Sequence, residues 1–437
     1  MMNVDFVKLS QGVSKYAVDV RRYLHVHAEP TSREFETVKF IQRELEKIGL
    51  KYVNIPDGGV LAEVNGDGSS HSNVLLRADC DALEMTEAPD NAAGRKDCIS
   101  SNPHAAHMCG HDAHTAILLG AAKILAQMDP QLIRGKVYLL FERGEEGGNC
   151  IYYVMKYIQQ HKIRIDSCFA LHVEPDLPVG TFWIDKGPSN AGNVNFEILL
   201  RGKGGHGSRP DLANNPLDCF VAIVNQMKDI RYKYIAPNDL LTYNIGSVHC
   251  GTRRNIVPDM LEFKGTARFY NTEAGKIFKT KLRHIVDHCA DLYDCSAEYG
   301  VFSGPGLSVV NNGDAAQIAK DAVTEMYGPS CLKELPINLG SESFSMLSNF
   351  YPSVMIRLGI RNEERGITAG LHSPNFDLDE DAIPYGISAH LAYAVKYMSV
   401  ADRKIPFQGL AQDADAVLRL TNRPIPKRYD PVSTQEG

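Results

Sequence analysis

Residues 107–128 read HMCGHDAHTAILLGAAKILAQM, and the organisation of the chain follows from them. The second half is a helix by spacing, with Ile117, Leu118, Ala121, Ile124 and Leu125 forming one apolar stripe. Its start carries a thiol and an imidazole two residues apart, Cys109 and His111. Three more metal-binding positions lie far away in the chain, after β-type runs. Glu145 and Glu146 come after KVYLLFE, His172 ends SCFALH, and His372 in LHSP comes after PSVMIRLGI. Each is expected where a strand gives way to a loop. The carboxyl edge of an open α/β sheet is where such side chains meet. A Cys/His/Glu set suits a zinc-like ion, and paired carboxylates suit two ions better than one.

Around this stretch, residues 15–48 carry apolar positions at helical spacing, with Phe40, Ile41, Leu45 and Ile48 on one face. NVLLRADCD then reads as a strand ending in Asp79 and Asp81. Strand and helix alternate through KVYLLFE, a helix at 151–160 and SCFALH, the pattern of a largely parallel α/β sheet. The character changes near Gly187. NVNFEILLRG, LTYNIGSVHCG and MLEFKGTARFYN read as alternating strands, with helices at 217–230 and 275–292, a β-α-β-β-α order that fits a smaller inserted α+β domain. The expected division is 1–187 plus 303–437 for the metal-binding domain and 188–302 for the insert. Residues 404–437 are polar and proline-containing and read as an extension or tail.

Composition is that of an ordinary globular protein: 437 residues, 44% hydrophobic and 23% charged. A net charge of -7 argues against a general nucleic-acid binder. No run approaches the roughly 18 apolar residues of a membrane span, and no export signal is evident at the N-terminus. The cytoplasm is the expected location, with the ten scattered cysteines as free thiols.

At residue level, Cys109 precedes a helix, whose dipole and free N–H groups favour a thiolate able to bridge two cations. His114 is either a further ligand or a support for one. Asp112 is expected to cap the helix. Asp79 and Asp81 are placed to orient a ligand imidazole through its other nitrogen. Of the paired carboxylates, Glu146 is assigned as ligand and Glu145 as the base that takes a proton from activated water. Gly147 and Gly148 let the backbone pass close to the ions. A cysteine hydrolase using Cys109 and His111 leaves Glu146, His172 and His372 without a purpose, and a non-catalytic metal-binding scaffold leaves Glu145 without one.

The motifs LLRADCDALEM, HMCGHDAHT, EEGG, ALHV, GKGGHGSRP, NIVPD, GTARF, GSESF and LHSPNFDLDE fall in the order found in the dinuclear-metal aminoacylase and carboxypeptidase family, which this chain resembles over roughly residues 20–400. The nearest branch includes N-acyl amino acid, auxin-conjugate and aminobenzoyl-glutamate hydrolases. The resemblance implies two divalent ions, zinc, manganese or cobalt, on Cys109, His111, Glu146, His172 and His372, with Glu145 as general base. It implies that the insert is a lid that pairs two subunits, as a homodimer or a tetramer of such dimers. It also implies that His206 polarises the scissile carbonyl, often from the partner subunit, and that Asn255 and Arg268 face substrate, a small N-acyl amino acid or dipeptide-like molecule. Departures from the family pattern are FERGEEGG before the paired glutamates, Ser343 in GSESF where aspartate is common, and Arg253 and Arg254 before NIVPD. Arg143, Arg253 and Arg254 are expected to add positive charge near the cleft and to favour an acidic substrate.

Overall fold

A computed structural model describes residues 4–147, 150–410 and 413–421. Its centre is a seven-stranded sheet in the order Lys51–Ile55, Gly59–Asn65, Lys136–Glu142, Asn73–Asp79, Ser167–Pro178, Ser353–Arg361, Phe182–Trp183. The four strands from Lys136–Glu142 to Ser353–Arg361 run parallel, and antiparallel strands finish both edges. The α/β fold read from the sequence is therefore present.

The central strands are buried on both faces, which is why they read as unbroken apolar runs. On one face, Leu76, Leu139, Leu171 and Ile356 pack under helices Phe6–Val26, His111–Leu125, Gly313–Tyr327 and Ile383–Met398. On the other, Leu75, Leu140, Ala170 and Met355 meet helix Cys150–Gln160. Strand side chains alternate between faces, so the next residues on that second face are Arg77, Glu142, His172 and Arg357. All four are buried. The second face thus turns from apolar to charged towards the carboxyl ends of its strands, and that is where the site forms.

The segment 15–48 is not one helix. Phe6–Val26 and Phe35–Ile48 are separated by a stretch containing Pro30, which has no N–H for a helix ladder. Its neighbours pair instead with the segment just past strand Asn73–Asp79, Ala82 donating to the Glu29 carbonyl and Thr31 to the Ala82 carbonyl. His172 sits within its strand rather than at its end, because pairing continues to Pro178. His372 lies on a loop beyond Arg361 at a positive φ of 60°, docked by its N–H on the Met108 carbonyl at 2.8 Å.

Residues 192–302 form a separate four-stranded antiparallel sheet, in the order Leu241–Cys250, Met260–Phe269, Gly192–Arg201, Ser296–Phe302. Helices Pro216–Tyr234 and Thr272–Leu292 cover one face around a core of their own that includes Phe196, Phe263 and Phe278. The alternating burial of these strands matches their one-sided packing. The extension is not uniformly a tail: Ala414–Leu420 is a helix whose Ala414, Val417 and Leu418 are buried in the core of the second face. Asp415 accepts from Tyr152 Oη at 2.8 Å and from Lys156 Nζ at 3.1 Å. Gly148 and residues 422–437 lie outside the described residues. Among those described, no helix is long and apolar enough to cross a membrane.

Candidate metal centre and substrate cavity

Helix His111–Leu125 begins behind Gly110, whose φ of 81° is the left-handed conformation glycine adopts without strain. A Cβ there would meet Val173 Cγ2 at 2.4 Å. This turn sets Cys109 and His111 against the second face. Asp112 does not cap the helix. Its carboxylate is held instead by Arg21 Nε and His25 Nδ1, both at 2.8 Å, in a buried ionic cluster, because the left-handed turn at Gly110 takes the capping position and offers no side chain.

Two groups of ligand atoms form around Cys109. In one, Cys109, His111 and His172 bring their donor atoms within 4.8 Å of one another, and in the other Cys109, Glu146 and His372 do so. Cys109 Sγ is 3.5 Å from His172 Nε2, and Glu146 Oε1 is 3.3 Å from His372 Nε2 and 3.8 Å from His111 Nε2. Residues more than 260 positions apart in the chain, Cys109 and His372, are thereby brought to one place. The rings are oriented from behind. His111 Nδ1 meets Asp81 Oδ1 at 3.1 Å, and His172 Nδ1 donates to the Val173 carbonyl at 2.6 Å, so both present Nε2 forward. Asp81 also accepts the Glu146 N–H at 3.0 Å, which makes it a brace for two of the five positions. His114 is spoken for on both sides: Nδ1 meets Asp79 Oδ1 at 2.6 Å and Nε2 accepts the Val173 N–H at 2.9 Å. That leaves it as a support rather than a donor.

The donor set fits divalent ions. His111 Nε2 and Glu146 Oε1 are buried and have no hydrogen-bond partner among the described residues, the condition of lone pairs reserved for a cation. Burial pushes the Cys109 thiol up against the pull of His111, so the helix terminus alone does not ionise it and positive charge beside it is needed. Burial presses His111 down, yet Asp79 and Cys109 hold it well above the usual imidazole range. Burial and Arg357 hold His172 well below it, the neutral form a ligand requires.

Glu145 sits beside these groups. Desolvation, Glu342 and Glu146 hold its carboxyl well above the ordinary range, and its Oε1 accepts the Ser343 N–H at 2.9 Å. Behind it lies the buried guanidinium of Arg77, which stands in the LLRADCDALEM motif without a role assigned to it there. Arg77 contacts Asp79 at 2.9 Å, Glu142 at 2.7 Å and Glu342 at 3.0 Å, and donates to Ser343 Oγ at 2.8 Å. Ser343 Oγ in turn donates to Glu142 at 2.6 Å, so the two departures Glu142 and Ser343 touch each other. Burial pushes Glu142 up to about 7 despite Arg77.

A cavity of about 600 Å³ opens from the metal positions. Its polar wall includes Asn190, Asn195, Arg268, Asn338 and Arg357; its apolar wall includes Ile151, Leu307, Met346, Val417 and Leu418, these five from the core of the second face. Arg268 is half-buried and donates to Ser341 Oγ. His206 lies on an exposed two-stranded ribbon of the 192–302 unit and Asn255 in the exposed turn before its second strand, and neither lines the cavity of this chain. The arginines expected near the cleft are elsewhere. Arg143 is turned away by Glu34 at 2.9 Å, and Arg253 and Arg254 are exposed and off the cavity wall. Arg357 takes that place. Its one signal in the sequence is the charge that interrupts PSVMIRLGI on the same face as His172.

Residues 75–396 match the family described as peptidase family M20/M25/M40. The chain is 31% identical over 392 residues to the IAA-amino acid hydrolase ILR1-like 4 of Arabidopsis thaliana, covering 88% of this chain and 86% of that protein. It is 31% identical over 373 residues to the N-acetylcysteine deacetylase of Bacillus subtilis, covering 84% and 92%. Among solved structures it is similar to the Bacillus subtilis YXEP protein, described as a dinuclear metal-binding peptidase from the M20 family, with a TM-score of 0.72 and 27% identity over 88% of this chain and 98% of that one.

Proposed function

The chain belongs to peptidase family M20/M25/M40 and is a metal-dependent amidohydrolase; from that premise we propose that it cleaves the amide bond of N-acyl amino acids or related small conjugates, releasing a carboxylic acid and an amino acid. The observation that carries this reading is the convergence of Cys109, His111, Glu146, His172 and His372 beside Glu145, with all but His111 lining one cavity. Cys109 is shared between two positions, His111 and His172 completing one and Glu146 and His372 the other. Zinc or manganese is the expected metal, with cobalt a further candidate, and when bound such ions supply Lewis acidity and water of lowered pKa.

The protein's own groups do the rest. Glu145 Oε1 is engaged by the Ser343 N–H, so Oε2 takes the proton of the attacking water and returns it to the leaving nitrogen. Its raised pKa suits both transfers. Asp81 fixes His111. Arg268 holds the amino-acid carboxylate as a two-pronged donor. The 192–302 unit acts as a lid and pairs with a second copy, in a dimer or a tetramer of dimers. The exposed His206 of one copy then reaches the carbonyl in the other, with Asn255 beside it. A cytoplasmic location accords with ten free cysteines.

The test is release of free amino acid from N-acetyl, N-benzoyl, aminobenzoyl and dipeptide substrates by protein stripped with chelator and reloaded with each metal. Turnover that vanishes on stripping and returns on loading is expected. Glu145→Gln is expected to keep its metal and lose about 10²- to 10⁴-fold in turnover; unchanged turnover removes Glu145 from the mechanism.

A further inference from the structure

Among the described residues three guanidiniums are no more than 2% exposed, and two of them are neutralised. Arg77 is 1% exposed and meets three carboxylates. Arg21 is 2% exposed and meets Asp112 at 2.8 Å and Glu380 at 3.4 Å. Arg357, also 2% exposed, differs from both. Its Nη2 donates to Asn190 Oδ1 at 2.7 Å, its Nε has no partner, and no carboxylate lies within ion-pair distance among the described residues. Glu174 feels its charge without contacting it. Guanidinium groups do not shed their proton in proteins, and a buried cation without a counter-ion is strongly unfavourable. Arg357 borders the cavity, on the strand position paired with His172.

We propose that Arg357, oriented by Asn190, is a carboxylate-binding site within this cavity, and that the substrates are N-acyl amino acids with a second acid group on the amino acid, the N-acyl aspartates and glutamates. The proposal rests on the amidohydrolase reading given above. Arg268 also lacks an ion-pair partner among the described residues and faces the same cavity, so two cationic groups stand on one wall. The carboxylates Glu145, Glu146 and Glu342 that also line the cavity belong to the metal and Arg77 clusters. A diacid bridging Arg268 and Arg357 would neutralise both, while a mono-acid would leave one of them bare.

The experiment compares metal-loaded wild type, Arg357→Gln and Arg357→Lys on N-acetyl-glutamate, N-acetyl-leucine and N-succinyl-leucine. Alongside, calorimetry follows binding of glutamate and leucine themselves, and melting is recorded. Arg357→Gln is expected to lower kcat/KM for N-acetyl-glutamate roughly 30-fold or more, the scale of a lost buried charge contact, with N-acetyl-leucine changed by less than about 3-fold. Arg357→Lys recovers part of the loss through KM. The melting temperature of Arg357→Gln stays level or rises, since an uncompensated charge is removed, whereas a structural arginine would lower it.

Equal losses on the glutamate and leucine substrates overturn the proposal, because the guanidinium then serves the reacting carbonyl. A loss confined to N-succinyl-leucine overturns the assignment to the amino-acid side. If wild type hydrolyses none of the three, the amidohydrolase reading of these substrates falls, but glutamate binding weakened by Arg357→Gln still supports the site. Glutamate binding that is absent, or equal in both proteins, overturns it.

Discussion

Two buried arginines on one face of one sheet make opposite predictions. Arg77 stands among Asp79, Glu142 and Glu342, so Arg77→Met leaves carboxylates buried without their cation. It is expected to cost about 3–5 kcal/mol, measured by denaturant unfolding. Arg357→Gln is expected to cost nothing. A second residue-scale expectation concerns acid. His390, buried against Phe169 at a ring distance of 4.9 Å, is pushed down to about 3 by burial, and His107 is pushed down to about 4. Both pKa values lie below the ordinary 6.5, so the folded state refuses protons that the unfolded chain accepts. Their stabilising contribution is complete above about 6.5 and is lost as pH falls through their folded values. His390→Leu is therefore expected to melt less steeply with falling pH than wild type. The gathering of the five candidate ligands beside Glu145 was legible because their residue types are chemically restrictive. Arg77 and Arg357 were not, since an arginine in an apolar strand declares its role only through what it touches or fails to touch. Asp112 was misread for the same reason: its partners Arg21 and His25 lie on another helix.

At the scale of elements, the parallel strands were legible because burial on both faces demands unbroken apolar runs. Their polar interruptions, all of one parity, turned out to mark the site. The helix break before Phe35 was written in residues 29–34, EPTSRE, where apolar spacing lapses around Pro30. Helix Ala414–Leu420 escaped periodicity: seven residues with three buried positions are too short for a period to show. The junction at Gly110 carries an element-scale prediction. Gly110→Ala would combine left-handed strain of about 1–2 kcal/mol with a Cβ at 2.4 Å from Val173 Cγ2. Displacement of both Cys109 and His111 should follow, read as loss of bound metal in a protein whose far-ultraviolet dichroism is unchanged.

Across the whole molecule, all five candidate ligand positions belong to the part built on the seven-stranded sheet, and the 192–302 unit has a core of its own. Metal should therefore stabilise one part selectively. At about a thousand-fold excess over Kd, bound metal adds about 4 kcal/mol, so chelation is expected to lower the melting transition by on the order of 10 °C. Hydrogen exchange should accelerate in strands Asn73–Asp79 and Ser167–Pro178 while strands Gly192–Arg201 and Met260–Phe269 keep their protection. Uniform acceleration would mean that the two parts unfold as one. The helix Ala414–Leu420 has a different consequence, one of timing. Val417 and Leu418 wall the cavity that Cys109 begins, so the pocket is completed by nearly the last described residues to be synthesised. At roughly 5–20 residues per second of translation, the Cys109 thiol spends some tens of seconds outside the ribosome before His372 and the closing helix exist. During that interval it is an open, soft ligand, and the metal and redox state of the nascent chain's surroundings decide what it first meets.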